Sequence, residues 1–127
     1  PFDRPAKGNA EAPEHPLVGE ARLIGLAHAI QQACTPVPVV GTGYSWFRQF
    51  WPNVGAAVLR RGMAAFIGLG RGAFAYPDAA RDLMARGAVD RKKCCVTCSR
   101  CTERMRGGSP AGCAVHDRRV YGSNSRA

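Results

Sequence analysis

Twice in this chain a short apolar run ends in closely spaced glycines and then passes into a helical pattern. The two runs are "VPVVGTGYS" at residues 37–45 and "MAAFIGLGRG" at residues 63–72. Runs that are apolar throughout and stopped by glycine suit strands buried on both faces, as in parallel sheets. Pro38 is tolerable only near a strand start. Helical segments surround them. "LVGEARLIGLAHAIQQAC" carries Leu23, Ala27, Ile30 and Cys34 at helical spacing, and Pro36 and Pro38 stop it. A second segment runs from about Phe50 to Arg61, with Val54, Val58 and Leu59 apolar, Pro52 in its first turn and Gly62 as its stop. "YPDAARDLMARG" is a third, with Pro77 at its first position and Gly87 at its end. The order helix, strand, helix, strand, helix with short connections predicts a parallel α/β architecture. Two strands cannot cover both faces of such a sheet. Partner strands are therefore expected ahead of residue 1, and this piece is not expected to fold alone.

The bulk properties narrow the class. A length of 127 residues suits one domain, and 46% hydrophobic residues exclude disorder throughout. No apolar run approaches the roughly 20 residues that span a bilayer, and no basic-then-apolar leader opens the chain, so a membrane partner is not expected. The opening "PFDRPAKGNAEAPEHP" reads as a loop, residues 1 to 16, in a piece of something longer. Net charge is +9, and from Arg86 onward ten Lys/Arg face three Asp/Glu. Such a tail suits nucleic acid, a membrane surface or a local anion. No alternation of basic and aromatic residues accompanies it, so a nucleic-acid platform is not specifically supported.

Glycines between a strand and a helix let backbone N–H groups approach an anion. A dinucleotide fingerprint fits poorly: Gly41-Thr42-Gly43 has Trp46 where its third glycine belongs, and Gly68, Gly70 and Gly72 are too closely spaced. Two successive strand–glycine turns fit better with the phosphate site after the last strands of a (β/α)8 barrel, where Arg71 adds a charge-assisted bond. The plainer reading, that the glycines only permit tight turns, stands beside it.

The stretch "KKCCVTCSRC" packs four cysteines into residues 94–101, and Cys113 follows. Disulfide frameworks spread their cysteines along a chain. Close spacing suits a metal or cluster in a reducing compartment, and a cytoplasmic location follows from that reading. Cys95, Cys98, Cys101 and Cys113 supply four thiolates, enough for a [4Fe–4S] cluster or a tetrahedral Zn²⁺, with "RGGSPAG" as the reversal that returns the fourth. Cys94 offers a substitute for Cys95. Arg91, Lys92, Lys93, Arg100, Arg104 and Arg106 surround the set and favour thiolates, or simply form a solvated tail.

"GLGRGAFAYPDAARDL" resembles the last strand and following turn of the old yellow enzyme family, the FMN-dependent NADH:flavin oxidoreductases, and "PVPVVGTGYS" resembles the strand and turn before it. The resemblance covers roughly Leu17 to Cys113. It implies the C-terminal part of an FMN-binding (β/α)8 TIM barrel over residues 1–90, followed by a cysteine-rich basic tail, an iron–sulfur loop, over 91–127. By the same resemblance Gly41, Thr42, Gly43, Gly70 and Arg71 hold the FMN phosphate and part of the flavin ring. Tyr44, Ser45 and Tyr76 depart from the family's usual residues. The cysteine set is similar to that of the enoate and 2,4-dienoyl-CoA reductase branch, which passes electrons between cluster and FMN. The gap between the second and third cysteines is two residues here, against three in that branch. The implied activity is hydride transfer from NAD(P)H through FMN to an activated C=C bond or similar acceptor. The proton-donating residues of the family lie on earlier strands, so no catalytic acid is named.

Two other functions stay open: a zinc-binding four-cysteine module with a basic nucleic-acid-binding tail, which leaves the strand–glycine–helix units unexplained, and a barrel relic whose cysteines bind nothing. Cys34 is expected to be a buried core thiol. His28 is expected at the surface or in packing, His15 in a loop, and His116 is an alternative ligand. Trp46, Phe47, Phe50 and Trp51 read as core or barrel cover. Substrate, nicotinamide preference and oligomeric state are not legible.

Overall fold

The computed structural model describes residues 14–122. The loop expected up to residue 16 lies mostly outside them. In order come α1 (Pro16–Ala33), β1 (Val40–Gly41), a 3-10 segment (Tyr44–Phe50), α2 (Trp51–Arg60), β2 (Phe66–Ile67), α3 (Arg71–Ala75), α4 (Ala79–Arg86), α5 (Arg100–Arg106) and α6 (Arg118–Tyr121). The strands pair in parallel, Val40 opposite Phe66 and Gly41 opposite Ile67. The chain is thus mixed helical with a two-stranded parallel sheet, and the described residues contain no closed barrel.

Local chemistry sets the helix ends. His15 is the N-cap of α1, its Nδ1 accepting from the Leu17 backbone N–H at 3.2 Å, with Pro16 opening the helix. Pro52 sits in the first turn of α2, and Gly62, at φ 61°, follows its end. Gly87 closes α4 in the left-handed conformation at φ 68°. The strands are shorter than the apolar runs that announce them. Pro38 has no N–H to donate, and glycine ends the ladder on both sides. Flanking bonds extend the contact: Ala65 N–H to Val39 O at 2.9 Å and Gly68 N–H to Gly41 O at 2.7 Å.

Tyr44, Val58 and Ala64 form the main core, with Ile24, Phe47, Trp51, Val54, Ile67 and Leu69 packed against it. Trp51 also packs against a second cluster of Tyr76, Ala79 and Cys94, tying the sheet to the segment that follows α4. The opposite side is open: Val40 is 53% exposed and Phe66 58%.

Two sequence expectations are corrected here. Pro77 lies ahead of α4, whose N-cap is Asp78, and is not its first residue. Cys34 is exposed, not buried. The stripe of α1 that turns inward runs through Gly19, Glu20, Leu23, Ile24, Ala27 and His28. It is set by the close approach of Glu20 and Leu23 to Gly43, so Leu23 and Ala27 stay on it while Ile30 and Cys34 rotate away.

Candidate metal centre

The two glycine turns lie side by side. Ser45 Oγ accepts the Gly72 backbone N–H at 3.0 Å, joining residues 27 apart in sequence. Gly43 takes φ 103°, a conformation that favours glycine, and the space where its Cβ would lie is filled by the Glu20 carboxylate and Leu23. A Cβ on Gly41 would sit 2.7 Å from the Tyr44 hydroxyl. Tyr44 is almost fully buried; burial first, and then the Glu20 carboxylate, push its phenol above its ordinary range. The departures Tyr44 and Ser45 therefore have structural work: one fills the core and the other cross-links the turns. Gly70 is different, because nothing lies within 4 Å of its Cβ position. Gly70 and Thr42 are the exposed positions of the two turns. Gly43 is packed against a carboxylate, and its part is to shape the turn.

Beyond α4 the chain is held by a buried polar knot. The Tyr76 hydroxyl donates to Asp82, which also meets Arg86 at 2.5 Å, Lys93 at 3.6 Å and Arg81 at 3.7 Å. The Asp90 backbone N–H reaches the Tyr76 oxygen at 3.4 Å, and Lys93 Nζ lies 5.1 Å from the Tyr76 ring centroid. The Tyr76 hydrogen bond first, then Arg86, Lys93 and Arg81, hold the Asp82 carboxyl below its ordinary range against the opposing effect of burial. A depressed carboxylate contributes stability that is fully present above about pH 4 and lost as pH falls through its folded value. Asp82→Asn is expected to lower Tm at neutral pH, and the gap to wild type is expected to narrow in thermal melts taken below about pH 4.

That knot sets two adjacent cysteines in different surroundings, although both border the space beside Ser45, Trp51 and Tyr76. Cys94 is buried against Tyr76 and Ala79, and its thiol donates to Asp90 O at 3.4 Å. Burial pushes it up; Arg48 opposes. Cys95 also lines, with Cys98, Cys101 and Cys113, one small cavity that is partly open to solvent. Arg71, Phe74, Val96, Ser99, Ala114 and Val115 complete its wall. Two non-glycine residues within the loop, Thr97 at φ 56° and Ser99 at φ 61°, adopt left-handed backbone, a conformation that costs free energy and concentrates at functional sites. Cys101 enters from the first turn of α5, a helix absent from the sequence reading. Gly112 accommodates the Tyr121 ring of α6, where any Cβ would collide.

The thiols carry further marks of a ligand set. Thr97 N–H donates to Cys95 Sγ at 3.3 Å and His116 N–H to Cys113 Sγ at 3.4 Å. Such bonds to sulfur favour thiolate and tune a bound centre. Burial raises the Cys95 thiol most; the Thr97 N–H and Arg71 oppose this, while Cys101 and Cys113 push the same way as burial. A cationic centre removes that mutual repulsion on binding, with release of protons. Among the described residues no group of three or more His, Cys, Asp and Glu is placed to hold a metal ion.

Other predicted residues separate from the site. The His116 ring lies 3.1 Å from the Cys94 carbonyl through Nε2, and His28 lies half-buried on α1. Of the flanking cations, Lys93 is engaged with Asp82 and Tyr76, and Arg104 with Pro110 O at 3.2 Å and the Tyr121 ring. The cation on the cavity is Arg71, whose Nη1 donates to Ser99 Oγ at 2.9 Å across 28 residues of sequence. The sequence tied Arg71 to the FMN phosphate and flavin ring; only the fold brings it to the cysteines.

No family model, no curated protein and no solved structure matches the chain.

Proposed function

We propose that this chain is the C-terminal part of an FMN-dependent (β/α)8-barrel oxidoreductase that also holds a [4Fe–4S] cluster. It would take hydride from NAD(P)H and deliver it to an activated C=C bond or similar acceptor. The observation that carries this reading is the convergence of Cys95, Cys98, Cys101 and Cys113 on one cavity whose wall includes Arg71 from the second glycine turn. FMN supplies hydride chemistry when bound, and a cluster supplies one-electron chemistry. The chain's own residues do the rest. The four thiols hold the cluster, the Thr97 and His116 N–H groups share the charge on sulfur, and Tyr76 with Asp82 fixes where the loop starts. Gly41, Thr42 and Gly43 shape the first turn, and Gly70 leaves room for a phosphate that Arg71 neutralises.

The test is cofactor content after purification without oxygen. FMN together with iron and acid-labile sulfide is the expected result. Zinc in place of iron, with no flavin and salt-dependent nucleic-acid binding, supports the four-cysteine zinc module instead.

A further inference from the structure

We propose that Arg71 is a positioning and potential-setting residue for the cysteine-held group, acting through its bond to Ser99 and its charge on the cavity wall. This rests on the iron–sulfur reading above. Three features carry it. The guanidinium donates to Ser99 Oγ at 2.9 Å, and Ser99 sits between Cys98 and Cys101 in the left-handed conformation, φ 61°. Arg71 lines the same cavity as all four thiols. Its own backbone is fixed from the other side, because the next residue, Gly72, donates to Ser45 of the first turn. One hydrogen-bonded path therefore runs from the first glycine turn to the second and on to the cysteine loop.

The physics gives a sign. A four-thiolate iron–sulfur centre is anionic and becomes more so on reduction. A fixed positive charge at its edge stabilises the reduced form more than the oxidised one. A guanidinium has five N–H donors, so the bond to Ser99 leaves others for a phosphate at Gly70. The same side chain then registers both ligands of the protein.

Three variants separate the contributions in the purified protein. Arg71→Gln removes the charge, Arg71→Lys keeps the charge but loses the planar fork, and Ser99→Gly removes the hydroxyl while relieving the left-handed backbone. The readouts are the midpoint potential followed by visible absorption and the rate of iron loss to a chelator. Arg71→Gln is expected to bind iron, lose it about ten-fold faster or more, and show a more negative midpoint, in line with the roughly 10–100-fold effects of outer-shell partners. Arg71→Lys is expected to restore the midpoint and not the chelator resistance. Ser99→Gly is expected to lose chelator resistance without a loss of Tm. If Arg71→Gln and Ser99→Gly both match wild type in midpoint and chelator rate, Arg71 has no part in the site and the inference fails while the cluster stands. If wild type itself carries no iron, the reading beneath it fails, and the inference with it.

Discussion

Cys95→Ala is expected to strip the proposed iron–sulfur group, while its neighbour Cys94→Ala leaves it in place. The sequence admits both cysteines as the first ligand, since each stands a short gap ahead of Cys98. The fold separates them. Cys95 shares a cavity with the other three thiols and accepts the Thr97 N–H. Cys94 faces Tyr76 and Ala79 and bonds a backbone carbonyl. Loss of a ligand should reduce iron content by at least about ten-fold, since even outer-shell partners carry 10–100-fold effects. Cys94→Ala should cost about 1 kcal/mol of stability through the buried sulfur it removes. Iron and sulfide analysis with a thermal melt checks both. The reverse pattern, with Cys94 required and Cys95 dispensable, would mean that the loop pairs its sulfurs differently from the arrangement described here.

Gly43→Ala and Gly70→Ala are expected to fail in different ways. At Gly43 the backbone is left-handed and a Cβ meets the Glu20 carboxylate and Leu23 on α1. Backbone strain and displaced packing together should cost about 2 kcal/mol or more, lowering Tm whether or not flavin is present. At Gly70 φ is −75° and the Cβ position faces open space. Alanine there should leave stability within about 1 kcal/mol, and it fills the space proposed for phosphate. FMN affinity should therefore fall at Gly70→Ala with little change in apoprotein Tm. A Gly70→Ala protein that retains FMN as wild type does would remove Gly70 from the flavin site.

The sequence made some of this visible for clear reasons. Apolar runs stopped by glycine marked both strands, and Pro52, Gly62 and Gly87 marked the limits of α2 and α4, because these signals act locally on the backbone. The cysteine spacing likewise gathers Cys95, Cys98 and Cys101 within one short loop. What was not legible depends on contacts between distant segments. The orientation of α1 follows from Glu20 meeting Gly43, which turned Cys34 outward. The bonds from Gly72 to Ser45 and from Arg71 to Ser99 join residues 27 and 28 apart. The choice between Cys94 and Cys95 depends on how the Tyr76–Asp82 knot orients the chain just before them. The short helices α5 and α6 have too few residues for periodicity to announce them.

The most direct test of the central claim is the visible spectrum of the protein from the full reading frame, purified without oxygen and titrated with NAD(P)H and then dithionite. The account predicts flavin bands over a broad shoulder, with the flavin bleached by NAD(P)H and the shoulder by dithionite. A colourless protein that is folded and well expressed would contradict it.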